Sequence, residues 1–279
     1  MVDLHIHIAR RNGRAIDASD RAEFAAQLCA NLEAYRERGI TFLRDGGDMD
    51  PASGLLARRL ASELGIRYQT PVFALVRRGG YGGFIGREVE GIPEIREALR
   101  ELYANGADHI KVVQSGIVSF ETFGEISDGG FEPNELSYIV ASAHDAGLSV
   151  MAHCNGSERV GAALNAGVDS IEHGYFIGEA ELALMRELDT LWVPTFVPLS
   201  NYLPHSSVAE RRVIERTLEL HRWNLRRAME LGVRVGLGSD AGAYCVSHGE
   251  GALDELEYMR SAGLNEEQAG AIAERNTFS

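Results

Sequence analysis

His5 and His7 stand two residues apart in the apolar run 2–8, and strand alternation puts both imidazoles on one side. Further apolar runs carry Lys111, His153, His173 and, at the end of the last, Asp240. A lone histidine in a strand is more often a packed core residue than a ligand. Six such groups spread over five runs, opened by a same-face pair, are hard to obtain from packing alone. Four imidazoles, a carboxylate and an amine suit zinc, or manganese, iron or cobalt, far better than calcium or magnesium. Lys111 is the one lysine among 27 basic residues. Its place in an apolar run points to a task that guanidinium cannot perform, because a buried lysine can lose its proton and act as an amine. A neutral amine adds carbon dioxide to give a carbamate whose two oxygens can bridge two cations.

The runs that carry these groups read as strands at 2–8, 40–45, 67–76, 109–114, 149–154, 170–176, 191–197 and 234–240. Helical patterns follow, among them 21–38, 93–104, 133–146 and 208–231, with Pro93 and Pro133 in first turns and glycines at the stops. Eight strand-then-helix units predict an α/β chain of parallel strands, most economically a closed (β/α)₈ TIM barrel forming one domain over residues 1–279. A doubly wound sheet is the alternative. Long loops at 77–92, 115–132 and 198–207 fall on the face where barrel sites are built.

Composition narrows the partners. A formal charge of −14 argues against nucleic acid and anionic membranes. Three scattered cysteines read as reduced thiols, and no apolar run approaches the roughly 18 residues of a membrane span. The expectation is a soluble cytoplasmic protein with no signal peptide, acting on a small molecule; self-association into a homo-oligomer is open.

The order HxH at residues 5–7, Lys111 in "DHIKV", His153 in "VMAHCNG", His173 in "SIEHG" and Asp240 in "GSDAG" resembles the amidohydrolase superfamily. "NGADHIKV", "AGVDSIEHG" and the concluding "ERNT" resemble its prolidase-like and imidazolonepropionase-like members. The resemblance implies a binuclear centre, with His5, His7 and Asp240 on the more buried metal and His153 and His173 on the other. Carboxylated Lys111 would bridge the two. It further implies that a hydroxide held between the metals attacks an amide carbonyl, with Asp240 passing the water's proton to the leaving atom. Many members carry a flanking β-sandwich; the expectation for this sequence is a barrel with that sandwich absent or truncated.

Other residues are weaker candidates. Asp3 is expected to hydrogen-bond behind the histidines. Arg77 and Arg78 could clamp a substrate carboxylate. Tyr81, Tyr202 and Tyr244, with His205 and His248, lie on loops of the same face and are candidate substrate contacts. His109 is expected deeper in the barrel, His144 and His221 on helices as structural or solvated groups, and Cys154 in the core. Residues 250–257 read as a solvated acidic helix face.

The leading reading is hydrolysis of an amide bond in a peptide-like, N-acyl amino acid or cyclic amide substrate. Lactone or ester hydrolysis on the same site is an alternative. A mononuclear deaminase ranks second, since the position three residues after His153, where that chemistry commonly places an acidic group, is Gly156. A non-catalytic metal-binding protein ranks third.

Overall fold

The computed structural model describes residues 1–274. In chain order the elements begin with β1 (Val2–Ile6), β2 (Arg10–Arg11), β3 (Arg14–Ala15), α1 (Arg21–Glu37), β4 (Phe42–Asp45), α2 (Pro51–Glu63), β5 (Arg67–Gln69) and β6 (Ala74–Arg77). Next come β7 (Gly86–Val89), α3 (Gly91–Ala104), β8 (Ile110–Val113), α4 (Pro133–Asp145), β9 (Val150–Cys154) and α5 (Ser157–Ala166). The chain continues through β10 (Ser170–His173), α6 (Glu179–Glu187), β11 (Leu191–Val193), the short α7 (Val197–Ser200) and the long α8 (Val208–Leu231). It ends with β12 (Arg234–Val235), α9 (Glu250–Ser261) and α10 (Glu266–Glu274).

Parallel ladders run β1-β4-β5 and β12-β11-β10-β9-β8-β6-β7. Two joints close them into a barrel. β5 and β6 are two halves of one barrel strand, because Pro71 lacks a ladder N–H and Val72 takes φ 70. On the far side, the segment after β12 reaches β1: Leu4 N donates to Leu237 O at 2.8 Å, and Ile6 bridges Ala241 in parallel. Crossover helices cover the outside, and the apolar core lies between them and the strands.

Several expectations need correction. The strand expected at 67–76 is split, and the expected loop at 77–92 contains β7, which pairs in parallel with β6. The strands expected to run to residues 176, 197 and 240 stop at His173, Val193 and Val235. His173, Thr195 and Asp240 take φ 68, 51 and 56, left-handed values that break a ladder. Arg10–Arg11 and Arg14–Ala15 form a hairpin over Asn12 and Gly13, both at positive φ, the two-residue turn that an Asn-Gly pair favours. The face at 250–257 is not wholly solvated: Glu255 is fully buried and accepts from the N–H groups of Phe196 and Val197. The motif "ERNT" lies, apart from Glu274, outside the described residues.

Candidate active site at the mouth of the barrel

His5, His7, Lys111, His153, His173 and Asp240 all line one cavity of about 470 Å³ at the C-terminal ends of the strands. Each side chain arrives by a local device. His5 sits inside β1 and His7 one residue beyond its end. Lys111 and His153 project from β8 and β9. On β10, strict alternation would send Glu172 and His173 to opposite faces; the left-handed turn at His173 brings both inward. Such conformations cost of order 1–3 kcal/mol and concentrate at functional sites.

One nitrogen of each imidazole is tied to a group outside the donor set. His5 Nδ1 donates to Glu172 Oε2 at 2.9 Å, and His7 Nδ1 donates to Gly47 O at 3.2 Å. Their Nε2 atoms face Asp240 Oδ1 at 3.7 and 3.5 Å. His153 uses Nε2, donating to Gly116 O at 3.2 Å, whereas His173 pairs Nδ1 with Thr195 Oγ1 at 2.6 Å. Ring centroids of His5 and His173 lie 4.9 Å apart, and those of His153 and His173 4.5 Å.

Charge in this cavity is governed by burial. It pushes the His7 and His153 imidazoles down to about 3, with Lys111 adding to the effect, and holds His5 and His173 well below their ordinary value. All four are therefore neutral, the form that donates a lone pair. Burial lowers the Lys111 amine to about 8, against the pull of Glu172 and Asp240. It raises the Asp240 carboxyl to about 7, while Lys111 opposes the rise. Lys111 is 1% exposed, and its Nζ approaches His5 Nε2 at 3.5 Å.

This donor set fits a divalent ion. Ligand atoms of His5, His7 and Asp240 lie within 4.8 Å of one another. Zinc–nitrogen bonds of about 2.0–2.1 Å put tetrahedral neighbours about 3.3 Å apart, close to the Asp240 separations. Those separations are too long for good hydrogen bonds.

A buried network stands behind the donors. Arg44 bonds Glu172 Oε1 at 2.7 Å, Ser170 Oγ at 2.9 Å and Leu4 O at 2.7 Å, so Glu172 is held while it orients His5. Asp3, expected behind the histidines, accepts from Ser239 N and Oγ and ties the end of the barrel to β1. Arg44 and Glu172 were not expected from sequence, although a charged residue inside "TFLRD" or "SIEHG" carries the same signal as Lys111.

The remaining candidates divide. Tyr81, Tyr202 and Tyr244 line the cavity, and the Tyr81 ring lies 5.4 Å from that of His153. Arg77 and Arg78 do not line it: Arg77 pairs with Glu132, and Arg78 with Glu90 and Glu94. His205 is outside the lining, with its ring 6.0 Å from Tyr244. His248 is buried behind the wall, where Nε2 donates to Arg10 O at 2.8 Å and Nδ1 meets Tyr35 Oη at 3.1 Å. His109 bonds Asp45 O, His221 bonds Pro194 O, exposed His144 pairs with Asp169, and Cys154 is fully buried. Arg10 lines the cavity and was not expected.

Known proteins share the sequence family and the fold. A crystal structure of a Xaa-Pro dipeptidase with methionine in its active site superposes with a TM-score of 0.78 at 26% identity, covering 98% of this chain and 72% of that one. Ochratoxinase of Aspergillus niger is 32% identical over 158 residues, 54% of this chain and 32% of that protein. Imidazolonepropionase of Paraburkholderia phymatum is 31% identical over 189 residues, 64% of this chain and 44% of its own length. The profile of the amidohydrolase family matches residues 1–274. The chain therefore belongs to the amidohydrolase family, hydrolases that act on carbon–nitrogen bonds.

Proposed function

We propose that the chain hydrolyses an amide bond of a peptide-like, N-acyl amino acid or cyclic amide substrate at two divalent ions, zinc in the first instance. His5, His7 and Asp240 would hold one ion, His153 and His173 the other, and Lys111, as its carbamate, would reach both. The observation that carries this reading is the shared orientation of the donors. Each imidazole spends one nitrogen on a group outside the donor set, in a cavity that also holds Asp240 and Lys111, whose one hydrogen-bond partner is His5 Nε2 at 3.5 Å. Bound divalent ions supply a lowered water pKa and a polarised carbonyl.

The protein does the rest. Glu172 and Gly47 fix which imidazole nitrogens face inward. Asp240 would take a proton from water and return it to the leaving nitrogen. Tyr81 stands beside His153, where its hydroxyl can meet a carbonyl oxygen. The likeness to a Xaa-Pro dipeptidase and an ochratoxinase supports amide cleavage. Ring deamination gains no support, because Gly156 supplies no acid–base group three residues after His153 and its φ of 79 suits glycine.

Replacing Asp240 with Asn removes the proton carrier while keeping the shape. Turnover of amides by metal-loaded protein should fall about 10²–10⁴-fold with thermal stability retained. Full turnover in Asp240→Asn would overturn the assignment. A panel that includes lactones and esters separates amide from ester specificity.

A further inference from the structure

Arg10 is a guanidinium built into the cavity wall with no carboxylate at ion-pair distance, Asp48 and Asp240 acting on it only from farther off. It is 7% exposed, and it donates to the carbonyls of Phe84, at 3.1 Å, and Gly13. Among the described residues it makes no ion pair within 4.0 Å, whereas the other deeply buried arginine, Arg44, is paired with Glu172 at 2.7 Å. Two carbonyls use only part of its five N–H donors. A largely buried cation whose counter-charges are only distant leaves donors at the cavity that an anion arriving from outside can take.

The mounting is rigid. Arg10 opens the β2–β3 hairpin, its own carbonyl is held by His248, and its guanidinium lies 4.7 Å over the Phe84 ring. Apart from the metal-type residues, the lining is largely apolar. Ile117, Phe120, Tyr202 and Tyr244 join Phe84 along the mouth, with Phe120–Tyr202 centroids 4.9 Å apart and Tyr202–Tyr244 5.9 Å. Phe84, Ile117 and Tyr244 are 40–47% exposed, an apolar rim open to a ligand.

We propose that Arg10 binds a free carboxylate of the substrate while this rim takes an apolar or aromatic side chain beside the scissile amide. The substrate class is thus an N-acyl amino acid or dipeptide with an apolar C-terminal residue, and the assignment rests on the amide-hydrolase reading above. It moves the anion site from the outward-paired Arg77 and Arg78 to Arg10, a residue that faces the reacting groups.

The test compares N-acetyl-L-phenylalanine with its carboxamide, by calorimetric binding and by kcat/KM, on metal-loaded wild type, Arg10→Met and Arg78→Met. Wild type should favour the acid at least about tenfold, the scale of one charge-assisted hydrogen bond. Arg10→Met should erase that preference while Arg78→Met keeps it. An anion that merely coordinates metal would bind Arg10→Met as well as wild type, and that result overturns the proposal. Equal handling of acid and amide by wild type, or binding of neither, overturns it too and needs no variant. Should Arg10→Met misfold, Arg10→Lys keeps the charge without the planar fork and should show a reduced preference; an undiminished one contradicts the forked contact. Binding that depends on Arg10 without cleavage of either compound would leave this site standing and reject amide hydrolysis.

Discussion

At Lys111 one atom separates the competing site chemistries. Its Nζ is buried, has His5 Nε2 at 3.5 Å as its hydrogen-bond partner, and is lowered to about 8 chiefly by burial. A permanent ammonium would be poorly satisfied there, whereas a carbamate would bring an anion to a cavity of neutral imidazoles. Native mass spectrometry of metal-loaded protein should show one added carbon dioxide, lost on acid denaturation, and Lys111→Arg should be inactive. An unmodified Lys111 in active protein would exclude the carbamate. Glu172 offers a second test. Changing it to Gln strips the charge partner from fully buried Arg44 and the orienting carboxylate from His5. Breaking such a pair costs about 3–5 kcal/mol, so urea unfolding should show a loss of that order. A loss under about 1 kcal/mol would mean that Arg44 finds another partner.

The strand ends decide which faces the side chains use. Lys111, His5 and His153 were legible in sequence because an ionisable group in an apolar strand stands out and alternation fixes its side. His173 was legible as a residue but not as a geometry: its inward aim comes from φ 68, a backbone break that spacing does not reveal. Arg10 was not legible at all, because its burial comes from Phe84 and the segment after β12 around Gly242 and His248, far away in sequence. The Asn-Gly turn beneath it was a readable hairpin signal. Gly46, after β4, is set by close approach, since a Cβ there would stand 2.5 Å from His7 Cε1. Gly46→Ala should displace the His7 ring and cut bound metal per chain, measured by elemental analysis, with little change in circular dichroism. Unchanged metal content would show that the ring has room to move.

Across the whole molecule, the eightfold strand-and-helix rhythm was enough to read the barrel from sequence. The split third strand, the extra β7 and the short last strands needed tertiary pairing to appear. Among the described residues no helix is long and apolar enough to cross a membrane. The barrel brings four of its nine imidazoles and its single lysine to one end and pairs many of its arginines with carboxylates elsewhere, so function depends on one mouth. The most direct measurement is hydrolysis of N-acyl amino acids and dipeptides before chelation, after it, and after zinc is restored. The geometry predicts amide cleavage that disappears with chelation and returns with zinc; cleavage indifferent to chelation, or no cleavage in the zinc-loaded protein, would contradict it.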